Sequence, residues 1–476
     1  MLRLTSIVLL LSLSFSLFAA EDSTLPDIGD ASSTGITPAE EKQLGSSLLR
    51  WLRQNHLINS DPIIQSYIHS LGYQLVANSE ESSQPYTFFV VNDPSINAFA
   101  APGGYIGIHT GLILTSESED ELAGVLAHEI AHITQRHMTR TYQSAKRHHL
   151  ATAVALLAAV LIGQNVDQLT EAALVTATAA NAQLQINFTR ANEKEADYIG
   201  IKTLANAGFN PKGMPAFFER MQKATQLYSE RELPEFLRTH PVTVNRIAES
   251  RSRARTMRFQ PHKQQSVYAY IKARVKVNSS EDIKQFIQQY KQDRNTEKNT
   301  SVYNYTLAIA YIKADQATLA EKHIQPLIKK NPESLIFRIA QAQVQQLQGQ
   351  TKKAFNNYSA MLRLYPYSHI ITLYFSEQLL ETGKANTAYN LLREYTRNRT
   401  PDNLILKRLS QAANKLGKEA EAYLYLAENE YLNGNTHTAI NHLTSALKNV
   451  HEDYYLTSRI EARLKQYKEM ALKEKK

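Results

Sequence analysis

The chain of 476 residues contains no cysteine. That absence excludes disulfides, thiolate metal sites and a cysteine nucleophile, so any metal must be held by His, Asp or Glu. Long apolar runs are also scarce. The stretch LATAVALLAAVLIG at 150–163 has 14 residues, short of the roughly 20 that a bilayer-spanning helix needs. It suits either a buried helix or a flap near the active site that makes peripheral membrane contact. Charge of one sign is in little excess: 53 Lys and Arg face 45 Asp and Glu, a net +8, with no Lys/Arg-dense segment. That argues against nucleic acid as the main partner. With 43% apolar and 21% charged residues, disordered, collagenous and multi-span membrane classes fit poorly, and the length suits two or three domains.

Residues 1–20 have the layout of a cleavable secretory signal: Arg3, a mostly apolar run from Ile7 to Phe18, then Ala19 and Ala20 before Glu21. A cysteine-free exported chain fits a bacterial periplasm. Residues 21–36 read as a linker, and a helix is expected to start at Thr37, with Pro38 at its first position and Glu40 completing a capping box. A second start falls at Asp61-Pro62. The run Tyr86 to Val91 reads as a strand. Asn97–Ala100 and Tyr105–Ile108, flanking Pro102-Gly103-Gly104, read as a hairpin. From about 118 the period is helical, and the polar stretch 261–300 reads as a connection between a domain at 37–260 and a second at 301–476.

The second half repeats with a 34-residue period. Windows opening at Ser301, Leu335 and His369 place small residues at equivalent positions, Ala308 and Ala342 in the first helix and Ala320, Ala354 and Ala388 in the second. A fourth window from Ala420 is offset by half a unit, which predicts one extra helix around Leu404–Leu416 interrupting the stack. The pattern resembles tetratricopeptide repeats, which present a concave face to peptides or protein segments. Their tyrosines, such as Tyr305, Tyr311 and Tyr358, read as packing.

The chemistry lies in His128-Glu129-Ile-Ala-His132, an H-E-x-x-H within a helical stretch. Histidines at i and i+4 share one helical face, so both rings can reach one zinc ion, while Glu129 lies beside that face within reach of a coordinated water. A third protein ligand is required. Glu193 and Asp197 are again i and i+4 on a second helical stretch, which allows a ligand and a supporting carboxylate on one face, with Glu195 directed elsewhere on the wheel.

Together with Asn97-Ala-Phe-Ala, Pro102-Gly-Gly and His240-Pro-Val-Thr-Val-Asn-Arg246, these motifs resemble the gluzincin metallopeptidases of the prenyl-protein protease and HtpX type. With the signal and repeats added, the whole chain resembles the periplasmic β-barrel assembly-enhancing proteases. The resemblance implies a mainly α fold: a gluzincin-type zinc metalloprotease domain with a small β-hairpin or sheet, followed by an α-solenoid of tetratricopeptide repeats. It implies one Zn2+ per chain on His128, His132 and Glu193, Glu129 as catalytic base, and Asp197 supporting a ligand. Asn97, Ala98 and Phe99 on the hairpin are candidates for pairing with an extended substrate. His240 stays open between a fourth zinc ligand that holds the enzyme latent, a donor to the oxyanion, and a packing histidine before Pro241. Arg246 is expected to pair with a carboxylate near the site. The implied partners are unfolded or misassembled outer-membrane proteins and the β-barrel assembly machinery. A rival reading is a periplasmic chaperone or scaffold that works through its repeats beside a latent or vestigial protease site.

Overall fold

The computed structural model describes residues 37–137, 157, 190–225, 234–261, 267–293 and 299–475. The expected signal at 1–20 and linker at 21–36 lie outside these residues, as does the 150–163 stretch apart from Leu157. Among the described residues, no helix is long and apolar enough to cross a membrane.

Local signals set the first elements. Helix α1 (Pro38–Gln54) opens on the expected capping box: Thr37 Oγ1 accepts the Glu40 N–H and Glu40 Oε2 accepts the Thr37 N–H. Asp61 caps α2 (Pro62–Val76) by accepting the Ile63 and Ile64 N–H groups. Strands β1 (Thr87–Val91), β2 (Ala98–Ala101) and β3 (Tyr105–His109) form a sheet ordered β1-β3-β2. The antiparallel β2–β3 pair is the expected hairpin, and β1 joins the far side of β3 in parallel.

Residue alternation buries both faces of this sheet. Phe88, Val90, Ala98, Ala100, Ile106 and Ile108 meet Ile64, Ile68 and Leu126 in the main core. Phe89, Val91, Phe99 and Ala101 meet Leu48, Leu49, Leu52 and Leu157 on the other side. A short α3 (Thr110–Thr115) leads to α4 (Glu119–Thr134), which Ser118 caps. Helices α5 (Arg190–Asn206), α6 (Gly213–Thr225), α7 (Glu235–Thr239) and α8 (Val244–Thr256) complete the first half.

The polar stretch 261–300 carries two helices, α9 (Tyr268–Asn278) and α10 (Ile283–Gln292); α9 packs against α2, α3 and the first repeat helix. The repeat helices follow as α11 (Thr300–Lys313), α12 (Ala317–Lys330), α13 (Leu335–Leu347), α14 (Thr351–Leu364), α15 (His369–Glu381), α16 (Ala385–Thr396), α17 (Asn403–Lys415), α18 (Glu419–Leu432), α19 (Thr436–Lys448) and α20 (Tyr454–Lys475). Ala308, Ala342, Ala320, Ala354 and Ala388 are all fully buried where paired helices meet.

The expected extra helix is there as α17 (Asn403–Lys415). Glycines at positive φ close the turns at 349, 383 and 417, 34 residues apart, and then at 434, 17 residues on, so the turn between α18 and α19 repeats the one between α17 and α18 and the stack shifts by half a unit there. Ser410 Oγ donates to the Ala422 carbonyl at 2.9 Å between α17 and α18.

Candidate metal and catalytic site

Helix α4 presents His128, Glu129 and His132, all at most 1% exposed. Helix α5 crosses close to it because residue 200 is glycine. A Cβ there would stand 3.1 Å from His128 N and 2.8 Å from Met214 Cε, so α5 can bring Glu193 and Asp197 against the two histidines. His240 follows α7 directly, and Arg246 lies in the first turn of α8.

The side chains converge on one point. His132 Nε2 lies 3.0 Å from His128 Nε2. Glu193 Oε2 stands 3.5 Å from His128 Nε2, and Glu193 Oε1 stands 3.4 Å from His132 Nε2. His240 Nδ1 is 3.0 Å from Glu193 Oε1 and 3.4 Å from His128 Nε2. One ligand atom from each of His128, His132, Glu193 and His240 lies within 4.8 Å of all the others, and all four residues are buried. Glu129 sits beside this group with Oε1 buried and without a hydrogen bond, 3.5 Å from His240 Nε2. Its carboxylate accepts the Ala100 N–H from β2.

An outer layer holds the rings. His128 Nδ1 stands 3.0 Å from Asp197 Oδ1. The Arg246 guanidinium forks onto Asp197 at 2.8 Å on both oxygens and reaches Glu193 Oε2 at 2.7 Å. The carboxylate left open for Arg246 is therefore a pair of carboxylates. His132 Nδ1 meets His137 Nδ1 at 3.0 Å, and His137 Nε2 meets Glu195 Oε2 at 3.1 Å. Sequence reasoning missed His137; its signal was a further histidine five residues past His132. Glu195 does point away from the Glu193–Asp197 face, and His137 is what it meets.

Burial and charge act in opposition here. Burial alone would depress the His128 imidazole, but the Asp197 and Glu193 carboxylates carry it up to about 9. Burial holds His132 well below its usual value and pushes Glu129 up. Glu193 and Asp197 resist the upward pull of burial: His240 and the motif histidines hold the first well below the carboxylate range, and Arg246 with His128 lowers the second. Phe236 stacks on His240 with ring centroids 5.1 Å apart, and the Phe218 ring lies edge-on to His128.

Three imidazoles and a carboxylate, with no sulfur donor, suit zinc. The buried Glu129 oxygen without a bond suits a group that handles a proton beside the metal. Fold and site together define a zinc metallopeptidase. The profile of Peptidase family M48 matches residues 62–254. A putative beta-barrel assembly-enhancing protease of Vibrio cholerae serotype O1 is 34% identical over 450 residues, covering 93% of this chain and 92% of its own. The beta-barrel assembly-enhancing protease of Escherichia coli strain K12 is 31% identical, covering 95% of this chain and 93% of its own. The mitochondrial metalloendopeptidase OMA1 of Arabidopsis thaliana is 30% identical over 46% of this chain and 42% of its own. The chain belongs to peptidase family M48.

Proposed function

We propose that this metallopeptidase is a periplasmic zinc endopeptidase that cleaves unfolded or misassembled outer-membrane β-barrel proteins recruited by its repeats. In this reading the protease domain spans 37–260 and the repeats begin at 301. The names of its bacterial relatives support the client class, and the reading of residues 1–20 as an export signal supports the compartment. His128, His132 and Glu193 hold the metal, and Asp197 steadies His128. Bound there, zinc supplies Lewis acidity that acidifies water and polarises a peptide carbonyl. Glu129 takes the proton of the attacking water and returns it to the leaving amine. The observation that carries this assignment is the buried Glu129 Oε1 with no hydrogen bond beside the ligand cluster.

His240 serves as a fourth ligand that keeps the enzyme latent. Its Nδ1 lies among the other ligand atoms, which supports ligation over donation to an oxyanion. Helix α7, which His240 follows, also touches the segment just before β2, where the Phe236 N–H donates to Ile96 O at 3.1 Å. In β2 the backbones of Asn97 and Phe99 face β3, because the Asn97–His109 pair is hydrogen-bonded and bonded pairs alternate. Ala98 and Ala100 therefore face the outer edge, yet Ala98 is 0% exposed and Ala100 4%. A substrate strand adding along Asn97–Ala98–Phe99 would compete with the α7 contact at Ile96 and, further along, with the Ala100 bond to Glu129.

A Glu129→Gln variant tests the assignment. It is expected to retain zinc and lose cleavage of an unfolded β-barrel protein, while holding that protein for identification by mass spectrometry. Persistent cleavage would remove Glu129 as the base. Full complementation of a deletion strain by the variant would favour the chaperone reading.

A further inference from the structure

His128 and His132 are both steadied from behind, by different means. Behind His128 stands Asp197, which is buried and gripped by Arg246. Behind His132 stands His137, 0% exposed, whose far nitrogen meets Glu195, a side chain 44% exposed.

Donor and acceptor roles along the second chain leave little choice. A carboxylate only accepts, so His137 donates from Nε2 to Glu195. In a neutral imidazole the other nitrogen is then an acceptor, so His137 Nδ1 receives a proton donated by His132 Nδ1. This leaves the lone pair of His132 on Nε2, the atom that lies 3.0 Å from His128 Nε2 and 3.4 Å from Glu193 Oε1. The backbone is bent to achieve it. Helix α4 ends at Thr134, and Arg136 takes φ +52°, a left-handed conformation that residues with a Cβ rarely adopt. The bend brings His137 back against the ring it follows by five positions.

We propose that His137, supported by Glu195, is a positioning residue that fixes the orientation and tautomer of His132 for metal binding. The inference rests on the zinc reading of His128, His132 and Glu193. Outer partners of this kind change metal affinity by roughly 10- to 100-fold when removed. A residue that merely fills space would change the stability of the metal-free fold and leave affinity alone.

The test is the zinc dissociation constant of the full chain, measured by competition with a chromogenic chelator, beside the melting temperature of the metal-free protein. His137→Leu is expected to weaken zinc about 10- to 100-fold with the metal-free melting temperature unmoved. His137→Asn, which keeps an acceptor near Nδ1, is expected to restore most of the affinity. Glu195→Gln, at a half-exposed position where folding is not at stake, is expected to weaken zinc by a smaller factor. The inference is overturned if His137→Leu binds zinc as the wild type does, or if Asn is no better than Leu. Should His137→Leu fail to fold, unchanged affinity in both Glu195→Gln and His137→Asn overturns it. A wild-type protein that takes up no zinc sinks the metal assignment and this inference together; normal zinc uptake in every variant sinks this inference alone.

Discussion

At His240 two roles make opposite demands on one ring. As a fourth ligand it completes a tetrahedral set and excludes water; as an oxyanion donor it would stand clear of the metal. His240 Nδ1 lies within 3.4 Å of both Glu193 Oε1 and His128 Nε2, so removing the ring should open a coordination position while the other three ligands remain. His240→Ala is expected to raise peptidase activity on an unfolded protein while zinc stays bound. A fall in activity would favour the donor, and no change would remove both roles. The convergence of His128 with His132 and of Glu193 with Asp197 was legible because each pair shares one helix face at i and i+4. That Arg246 would meet a carboxylate was expected too, but which carboxylates it forks onto and the His137–Glu195 pair were not legible, because neither follows from spacing within a helix. Arg246 reaches Asp197 across 49 positions and His137 reaches Glu195 across 58, contacts that exist only once α4, α5 and α8 have packed.

Among the elements, those specified by their own residues were read correctly. Thr37 and Asp61 cap helices through contacts two or three residues long, and the β2–β3 hairpin closes over a short turn. The parallel pairing of β1 with β3 was not legible, since the apolar run Phe88–Val91 does not say which strand it will join. In the repeats both the period and the half-unit shift near Leu404–Leu416 were legible, because small residues recur at the seams between helices and glycines at the turns. Those seams set the helix separation. Ala354 is fully buried in α14, where α13 and α14 approach, and a larger side chain there must push the pair apart. Ala354→Leu is expected to destabilise the repeat region by about 1–3 kcal/mol, read as a lower urea midpoint. Cleavage of a short peptide should be kept, because the ligand cluster is built from residues 128–240 and not from the repeats. Equal loss of both would mean that the halves do not unfold independently.

In the whole molecule the solenoid is tied back onto the peptidase half at two buried arginines. Arg50 of α1 donates to the Tyr431 carbonyl, bonds Thr436 Oγ1 and lies over the Tyr431 ring. Gly434, at φ +86°, lets that turn approach, since a Cβ would stand 2.8 Å from Arg50 O. The second tie leads toward the catalytic helix. Arg274 of α9 grips Asp61 at 2.6 Å and donates to Tyr305 of α11 and Tyr374 of α15, each at 3.2 Å. Asp61 is the cap of α2, and α2 in turn bonds the first turn of α4 through Tyr67 and Glu119. Burial would raise the Asp61 carboxyl, yet Arg274 and Asn278 hold it below its usual value. A carboxylate lowered on folding stabilises the protein above its unfolded pKa, and the stabilisation is lost as pH falls through the folded one. Arg274→Met strands a buried charge, expected to cost about 3–5 kcal/mol. The expected result is a lower melting temperature at neutral pH and faster deuterium exchange at the Ile63 and Ile64 amides, with a smaller deficit in acid, where the wild type loses the pair as well. Adding Asp61→Asn, which removes the stranded charge and keeps a cap, should recover much of the loss. If the single variant melts and exchanges as the wild type does, the tie between solenoid and peptidase lies elsewhere, and Arg50 becomes the residue that holds the halves together.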